Sequence, residues 1–205
     1  MSKQEPQRSN PHQNLRTQLR NKRKSLSKKQ QEAHATQLAK RLCNYPLCKR
    51  NTHIAAYLAA DGEIDPALFI RRAWQQNKKI YLPVLVPFAR RIYFALYTPN
   101  SKMKPNRFGI DEPDVHPKHW LKPRQMQLIL TPLVGFDIMG NRLGMGGGFY
   151  DRSLSFTRFR KSSHAPWLMG LAHQLQCIEQ LPLQAHDIPM QVIATEQRLY
   201  EISPV

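Results

Sequence analysis

The sequence predicts an α/β fold: a single three-layer domain with a mainly parallel central sheet and helices on both faces. Three observations point there. Short apolar runs of strand character alternate with stretches of helical periodicity. The 205 residues suit one domain, and 41% of them are hydrophobic, enough for a core. No internal repeat is visible. The expected organisation is a disordered polar arm over residues 1–11, then one domain over residues 12–205.

The elements follow in order. Leu15 and Leu19, four apart in a basic stretch, make a narrow apolar stripe on a first helix. Ser27-Lys28-Lys29-Gln30 is a capping-box pattern that starts a second helix, with Ala35, Leu38, Ala39 and Leu42 as its core face. His53-Ile54-Ala55-Ala56-Tyr57-Leu58 reads as a strand running into the Asp61-Gly62-Glu63 loop. Asp65-Pro66 opens a helix that buries Phe69, Ile70, Ala73 and Trp74. Strands follow at residues 79–84 and, nearer an edge, 91–97. Residues 98–127 are proline-rich and read as irregular connections. Leu128-Ile129-Leu130 is the central strand. Residues 149–161 can form a helix. Residues 167–172, 191–195 and 198–202 complete the sheet.

The net charge of +17 is unevenly spread. Residues 1–50 hold thirteen Lys/Arg and two acids, and the remaining 155 residues hold eighteen and twelve. This basic end suits a nucleic acid or a polyanionic small molecule, but it lacks the interleaved aromatics of a single-strand platform. No secretory signal stands at the start. No apolar run nears the about 18 residues of a membrane span. Cys43, Cys48 and Cys177 lack zinc-type spacing and read as reduced thiols, so a cytoplasmic protein is expected.

The segment Gly140-Asn141-Arg142-Leu143-Gly144-Met145-Gly146-Gly147-Gly148-Phe149-Tyr150-Asp151 carries most of the functional information. Four of the chain's nine glycines fall in the five residues 144–148 of this segment. Such a run bares backbone N–H groups and permits φ > 0, which suits an anion nest ahead of a helix. A flexible turn is the other reading open from these residues alone. The spacing matches neither a Walker P-loop nor the G-x-G-x-x-G dinucleotide fingerprint. Arg142 offers a cation for phosphate and Asp151 a carboxylate for Mg²⁺.

Other candidates are fewer. Asp65 reads as a helix cap and Asp137 as a turn former. Glu63 projects from a strand-end loop toward the expected cleft. No Gly-x-Ser-x-Gly elbow or His-x-x-x-His pair exists, and His116 and His119 lack a third ligand. Phosphoryl transfer, which relies on positioning, positive charge and Mg²⁺, fits this inventory.

Pro132-Leu133-Val134-Gly135-Phe136-Asp137, followed by the glycine segment and Arg152, closely resembles the signature of the 5-formyltetrahydrofolate cyclo-ligase family. The order of motifs is similar from about residue 12 to 202, including Asp61-Gly62-Glu63, Phe108-Gly109-Ile110 with Glu112-Pro113, and His186-Asp187. The resemblance implies ATP- and Mg²⁺-dependent closure of 5-formyltetrahydrofolate to 5,10-methenyltetrahydrofolate, with release of ADP and phosphate. The formyl oxygen would be phosphorylated, N10 would attack the formyl carbon, and phosphate would leave. The resemblance implies ATP contacts from His12, Arg16, Arg142, Leu143, Gly144, Met145, Gly146, Gly147, Gly148, Phe149 and Tyr150, with Arg142 catalytic. It implies folate contacts from Leu58, Glu63, Met145, Gly146, Gly147, Gly148 and Phe149, and Mg²⁺ held by Asp151 and Asp187. Two positions depart from the family pattern: His12 stands where many relatives have Lys or Arg, and Gly147 where some have Lys. The expected partners are the two small-molecule substrates, with no membrane or dedicated nucleic acid, on a monomer. A basic nucleic-acid-associated protein without turnover is the alternative.

Overall fold

The computed structural model describes residues 11–159, 165–182, 184 and 187–202. Helices α1 (Pro11–Lys24) and α2 (Lys28–Asn44) open the described chain. Pro11, expected to end a disordered arm, begins α1; the rest of that arm lies outside the described residues. The capping box of α2 forms as expected. Ser27 Oγ accepts from the Gln30 N–H (3.3 Å), and Gln30 Oε1 accepts from the Ser27 N–H (2.9 Å). Ala35, Leu38, Ala39 and Leu42 are its buried face.

A short α3 (Pro46–Arg50) leads to β1 (His53–Ala55), α4 (Ala67–Gln75), β2 (Lys79–Leu85) and β3 (Ile92–Tyr97). The first strand is shorter than expected because the chain leaves the ladder for the Asp61 loop. Asp65 was expected to be the N-cap with Pro66 as the first helical residue; α4 instead begins one residue later, so Pro66 is its N-cap, and Asp65, just before it, accepts at Oδ1 from the Ala67 N–H (2.8 Å). Residues 98–127 are more ordered than their prolines suggest. They hold a hairpin of β4 (Met103–Pro105) and β5 (Asp111–Pro113), then two 3₁₀ turns.

Next come β6 (Leu128–Pro132) and a small hairpin of β7 (Gly135–Phe136) and β8 (Arg142–Leu143). This hairpin stands between the central strand and the glycine loop, where a direct strand–loop–helix order was expected. The buried Asp137 builds its turn, accepting from the N–H groups of Met139 (3.0 Å) and Asn141 (3.1 Å). The helix expected over residues 149–161 is α5 (Phe149–Leu154), continued by a 3₁₀ turn over Ser155–Phe159. The last strands are β9 (Trp167–Leu171), β10 (Val192–Ala194) and β11 (Leu199–Glu201).

The seven-stranded sheet has the order β11-β10-β9-β6-β1-β2-β3. Its five inner strands are parallel, and β3 and β11 close the edges antiparallel. Alternate side chains serve opposite faces. Ile54, Ile80, Leu128, Leu130 and Met169 pack with Leu38 and Leu42 of α2 and with Phe69 and Ile70 of α4. Ala55, Ile129, Leu168 and Ile193 face Phe136, Leu154, Ile188 and Met190. Both faces are therefore covered, the second largely by loops and the short α5. After β1 the chain turns toward β2, and after β6 it turns toward β9. The topological switch point lies between β1 and β6, where open α/β sheets form ligand clefts.

Leu38 is fully buried, so Leu38→Ala should cost about 2–5 kcal/mol in urea unfolding. Ser27→Ala, which removes only the cap, should cost about 1 kcal/mol in the same measurement.

Candidate active site

The loop after β1 turns through two left-handed residues, Asp61 (φ 53°) and Gly62 (φ 76°), and presents Asp61 and Glu63 toward α1. Arg23 of α1 is fully buried. Its Nε donates to Asp61 O (2.8 Å), its Nη2 to Asp61 Oδ2 (2.8 Å), and its Nη1 to Leu133 O (3.3 Å). One guanidinium thus joins the segments leaving β1 and β6, across the switch point. Arg20 Nε also donates to Asp61 Oδ2 (2.7 Å), and Lys24 pairs with the same carboxylate. The Arg20 guanidinium, then Lys24 and Arg23, hold the Asp61 carboxyl well below the usual carboxylate range, against the opposing effect of burial. Glu63 differs. Burial raises its pKa while Arg23, with Nη2 3.8 Å from Oε1, pulls it back.

Helix α1 also reaches the glycine loop. Leu19 packs with Val134, Leu143 and Leu181, which lays the helix along β8. One turn earlier, Arg16 Nε donates to Gly144 O (2.8 Å). His12 lies a turn further back and shares that helical face by its spacing. Gly146 has φ 91°, and a Cβ there would sit 3.4 Å from the Arg16 guanidinium carbon. Gly148 caps α5 in the left-handed conformation (φ 65°). Among the described residues, the N–H groups of Met145, Gly146, Gly147 and Gly148 donate to no protein acceptor. The loop therefore presents bare donors at the foot of a helix, with Arg16 behind them.

Arg142 is buried and its guanidinium is already engaged. Nη2 pairs with Asp151, and Nε donates to Ile188 O (3.2 Å). It thereby links α5 to the segment of Asp187, whose Oδ2 accepts from the Gln184 N–H (2.9 Å). Arg142 also lies over the Tyr150 ring, 6.0 Å from its centroid. Burial raises the Tyr150 pKa, and the field of Glu63 adds to the rise. The Phe108 ring meets Phe149 edge-on at 5.7 Å, with Arg107 above both rings, so the β4–β5 hairpin borders the loop.

The expected residues thus fall into two groups. Arg16, Gly144, Gly146, Arg142, Tyr150 and Asp151 form one connected patch, with Phe149 at its border. Leu58 and Glu63 lie on the β1 loop, and Glu63 makes itself felt at Tyr150. Arg142 was expected to be open for phosphate; the structure instead pairs it with the carboxylate expected to take Mg²⁺, because a buried cation needs a counter-charge. His186 lies outside the described residues. Sequence reasoning missed Arg23 and the role of Asp61. A signal existed: Arg23 stands four residues after Leu19, on the buried stripe of α1. It also missed His173, buried beside the Gly62 backbone of the β1 loop. Burial, with His34 adding, pushes the His173 pKa down to about 4. Four basic residues of the helix, Arg16, Arg20, Arg23 and Lys24, hold partners within the chain, Arg23 as a buried group and Arg20 and Lys24 from the surface. Among the described residues, no helix is long and apolar enough to cross a membrane.

Residues 8–196 match the model of the 5-formyltetrahydrofolate cyclo-ligase family. The chain is 38% identical over 184 residues to the 5-formyltetrahydrofolate cyclo-ligase of Escherichia coli K12, covering 89% of this chain and 99% of that one. It is 40% identical over 179 residues to the Haemophilus influenzae enzyme of the same name, covering 87% and 94%. The solution structure of Aquifex aeolicus 5,10-methenyltetrahydrofolate synthetase superposes with a TM-score of 0.80 at 28% identity, covering 95% of this chain and 94% of that one.

The depressed Asp61 pKa makes its contribution to stability pH-dependent. That contribution is present above the unfolded-state pKa of about 3.9 and is lost as pH falls toward the folded value. Asp61→Asn should be clearly less stable than the parent in urea at pH 7, and the gap should narrow by pH 3. A gap that stays constant with pH would show that Asp61 does not act through its charge.

Proposed function

The chain belongs to the 5-formyltetrahydrofolate cyclo-ligase family, and on that premise we propose how its residues carry out the ATP-dependent conversion of 5-formyltetrahydrofolate to 5,10-methenyltetrahydrofolate. One observation carries the reading: Arg16 and the Arg142–Asp151 pair border the glycine loop, which follows the small hairpin after β6, while Glu63 stands on the loop after β1, the other strand at the switch point. Phosphates lie on the bare N–H groups of Met145, Gly146, Gly147 and Gly148, with Arg16 and His12 on the α1 side. The folate lies between that loop and Leu58 and Glu63. Glu63 accepts hydrogen bonds from the amide-and-amine edge of the pterin, a role for the carboxylate form. Met145 and Phe149 cover the ring system from the loop side.

The chain's contribution to the chemistry is positioning and charge. The loop holds the γ-phosphoryl group in line with the N5-formyl oxygen. The formyl oxygen attacks phosphorus and ADP leaves. N10 then attacks the activated carbon, and phosphate departs with the former formyl oxygen as the ring closes. Arg142 stabilises charge developing on the phosphoryl oxygens. Asp151 and Asp187 are oxygen donors of the type Mg²⁺ takes; Arg142 pairs with the first and donates to the carbonyl of Ile188, the neighbour of the second. When bound, Mg²⁺ neutralises phosphate charge. With Asp151 engaged by Mg²⁺, Arg142 would be free to turn its guanidinium to phosphate, which makes the observed pair compatible with a phosphate role. Gly147 supplies no lysine in this chain, so Arg16, Arg142 and the backbone donors carry that load.

The assay is the appearance of methenyl absorbance from 5-formyltetrahydrofolate with ATP and Mg²⁺, with ATP omitted as the control. Arg142→Ala, its fold checked by thermal melting, should lose on the order of 10²–10³-fold in kcat. Near-normal turnover in a folded variant would remove Arg142 from the reaction. Glu63→Ala should raise KM for the folate more than KM for ATP. Equal effects on both would detach Glu63 from the pterin.

A further inference from the structure

Three side chains with metal-ligand chemistry, none used in the proposed reaction, converge at the carboxyl edge of the sheet. His173 follows β9 by two residues and Glu196 follows β10 by two. His34 reaches them from the first half of α2. His34 Nδ1 and His173 Nδ1 are 2.8 Å apart, and Glu196 Oε1 is 3.8 Å from His34 Nδ1. One ligand atom from each residue lies within 4.8 Å of the other two.

Hydrogen bonding within the protein accounts for only part of this cluster. At most one proton bridges the two Nδ1 atoms, and 3.8 Å is too long for a hydrogen bond from His34 to the carboxylate. His173 is fully buried with the Gly62 backbone beside its ring, and its Nε2, across the ring from Nδ1, faces away from the other two ligand atoms. The frame around the cluster is nonetheless well built. Glu196 Oε2 accepts from the Gln174 N–H (2.9 Å), which leaves Oε1 on the His34 side, and Arg41 of α2 donates to Glu196 O (3.0 Å). A tetrahedral ion with bonds of about 2.0–2.2 Å sets its ligand atoms about 3.3 Å apart. The His34–His173 spacing falls short of that value and the His34–Glu196 spacing exceeds it, so a bound ion would draw all three side chains toward a common centre, with His34, the partly exposed member, the freest to move.

We propose that His34, His173 and Glu196 bind a divalent transition metal of the zinc type, with water in the fourth position on the exposed side of His34. Two imidazoles and one carboxylate are borderline ligands that favour zinc, cobalt or nickel over magnesium. The ion joins α2 to the ends of β9 and β10. It is separate from the carboxylates assigned to Mg²⁺, and the proposal does not depend on the cyclisation reaction.

The test uses the full chain stripped with a chelator. Zn²⁺ binding is read by competition with a chromophoric indicator, and Co²⁺ by its visible spectrum. One ion per chain is expected, with a nitrogen–oxygen cobalt spectrum lacking thiolate charge transfer. Glu196→Gln, which keeps an acceptor for Gln174, should weaken binding roughly tenfold or more. His34→Ala, a partly exposed position, should abolish the site. Zn²⁺ should raise the Tm of the parent and not of His34→Ala. No uptake by the parent would overturn the proposal. Unchanged binding in both variants would also overturn it, by assigning the ion to other residues.

Discussion

The buried Arg23 guanidinium spans the segments that leave β1 and β6, and the geometry of the site depends on that bridge. A sheet that splits at a switch point opens a crevice there by topology alone. What stands in the crevice depends on how the two departing segments are held. Arg23 binds the carbonyl and carboxylate of Asp61 on one side and the Leu133 carbonyl on the other. A cation with no exposure would be costly without these acceptors, and the acceptors would be costly without the cation. The arrangement is satisfied only as a unit. Arg20 and Lys24 add charge from the exposed side of the same carboxylate.

The rest of the site follows from this anchor. With α1 fixed at Arg23, Leu19 lies on β8, and Arg16 reaches Gly144 one turn before it. The glycine loop is therefore shaped from outside by a helix distant in sequence. Its own left-handed residues, Gly146 and Gly148, let the backbone turn without a side chain meeting Arg16 or closing the helix entry. On the other side, Arg142 ties α5 to the segment of Asp187, and Tyr150 lies within the field of Glu63. Two buried arginines thus organise two halves of one cleft, Arg23 through the β1 loop and Arg142 through α5.

Much of the fold was legible because local rules sufficed. The Ser27–Gln30 box, the four-residue face of α2 and the central place of Leu128-Ile129-Leu130 are short-range patterns that tertiary contacts reinforced. Where tertiary contacts decided, the expectations slipped. The strand at β1 ended early because the Asp61 loop is held by α1. The β7–β8 hairpin went unseen because two-residue strands carry no periodic signal, and Asp137 makes its turn through side-chain bonds. The prolines of residues 98–127 obscured a hairpin that packs at the site's border.

For the site, residue types and their order set the chemistry on offer. The glycine run with Arg142 and Asp151, and the order of motifs around it, identified the family and the residue types available to phosphate and folate. Tertiary structure decided which groups meet. That Arg142 is paired with Asp151, that a stripe residue of α1 is the keystone of the cleft, and that His34, His173 and Glu196 share one corner are facts of long-range contact. The physical reason is that buried charge is settled by partners far away in sequence. A residue's type announces that it needs a partner, and only the packed chain supplies one.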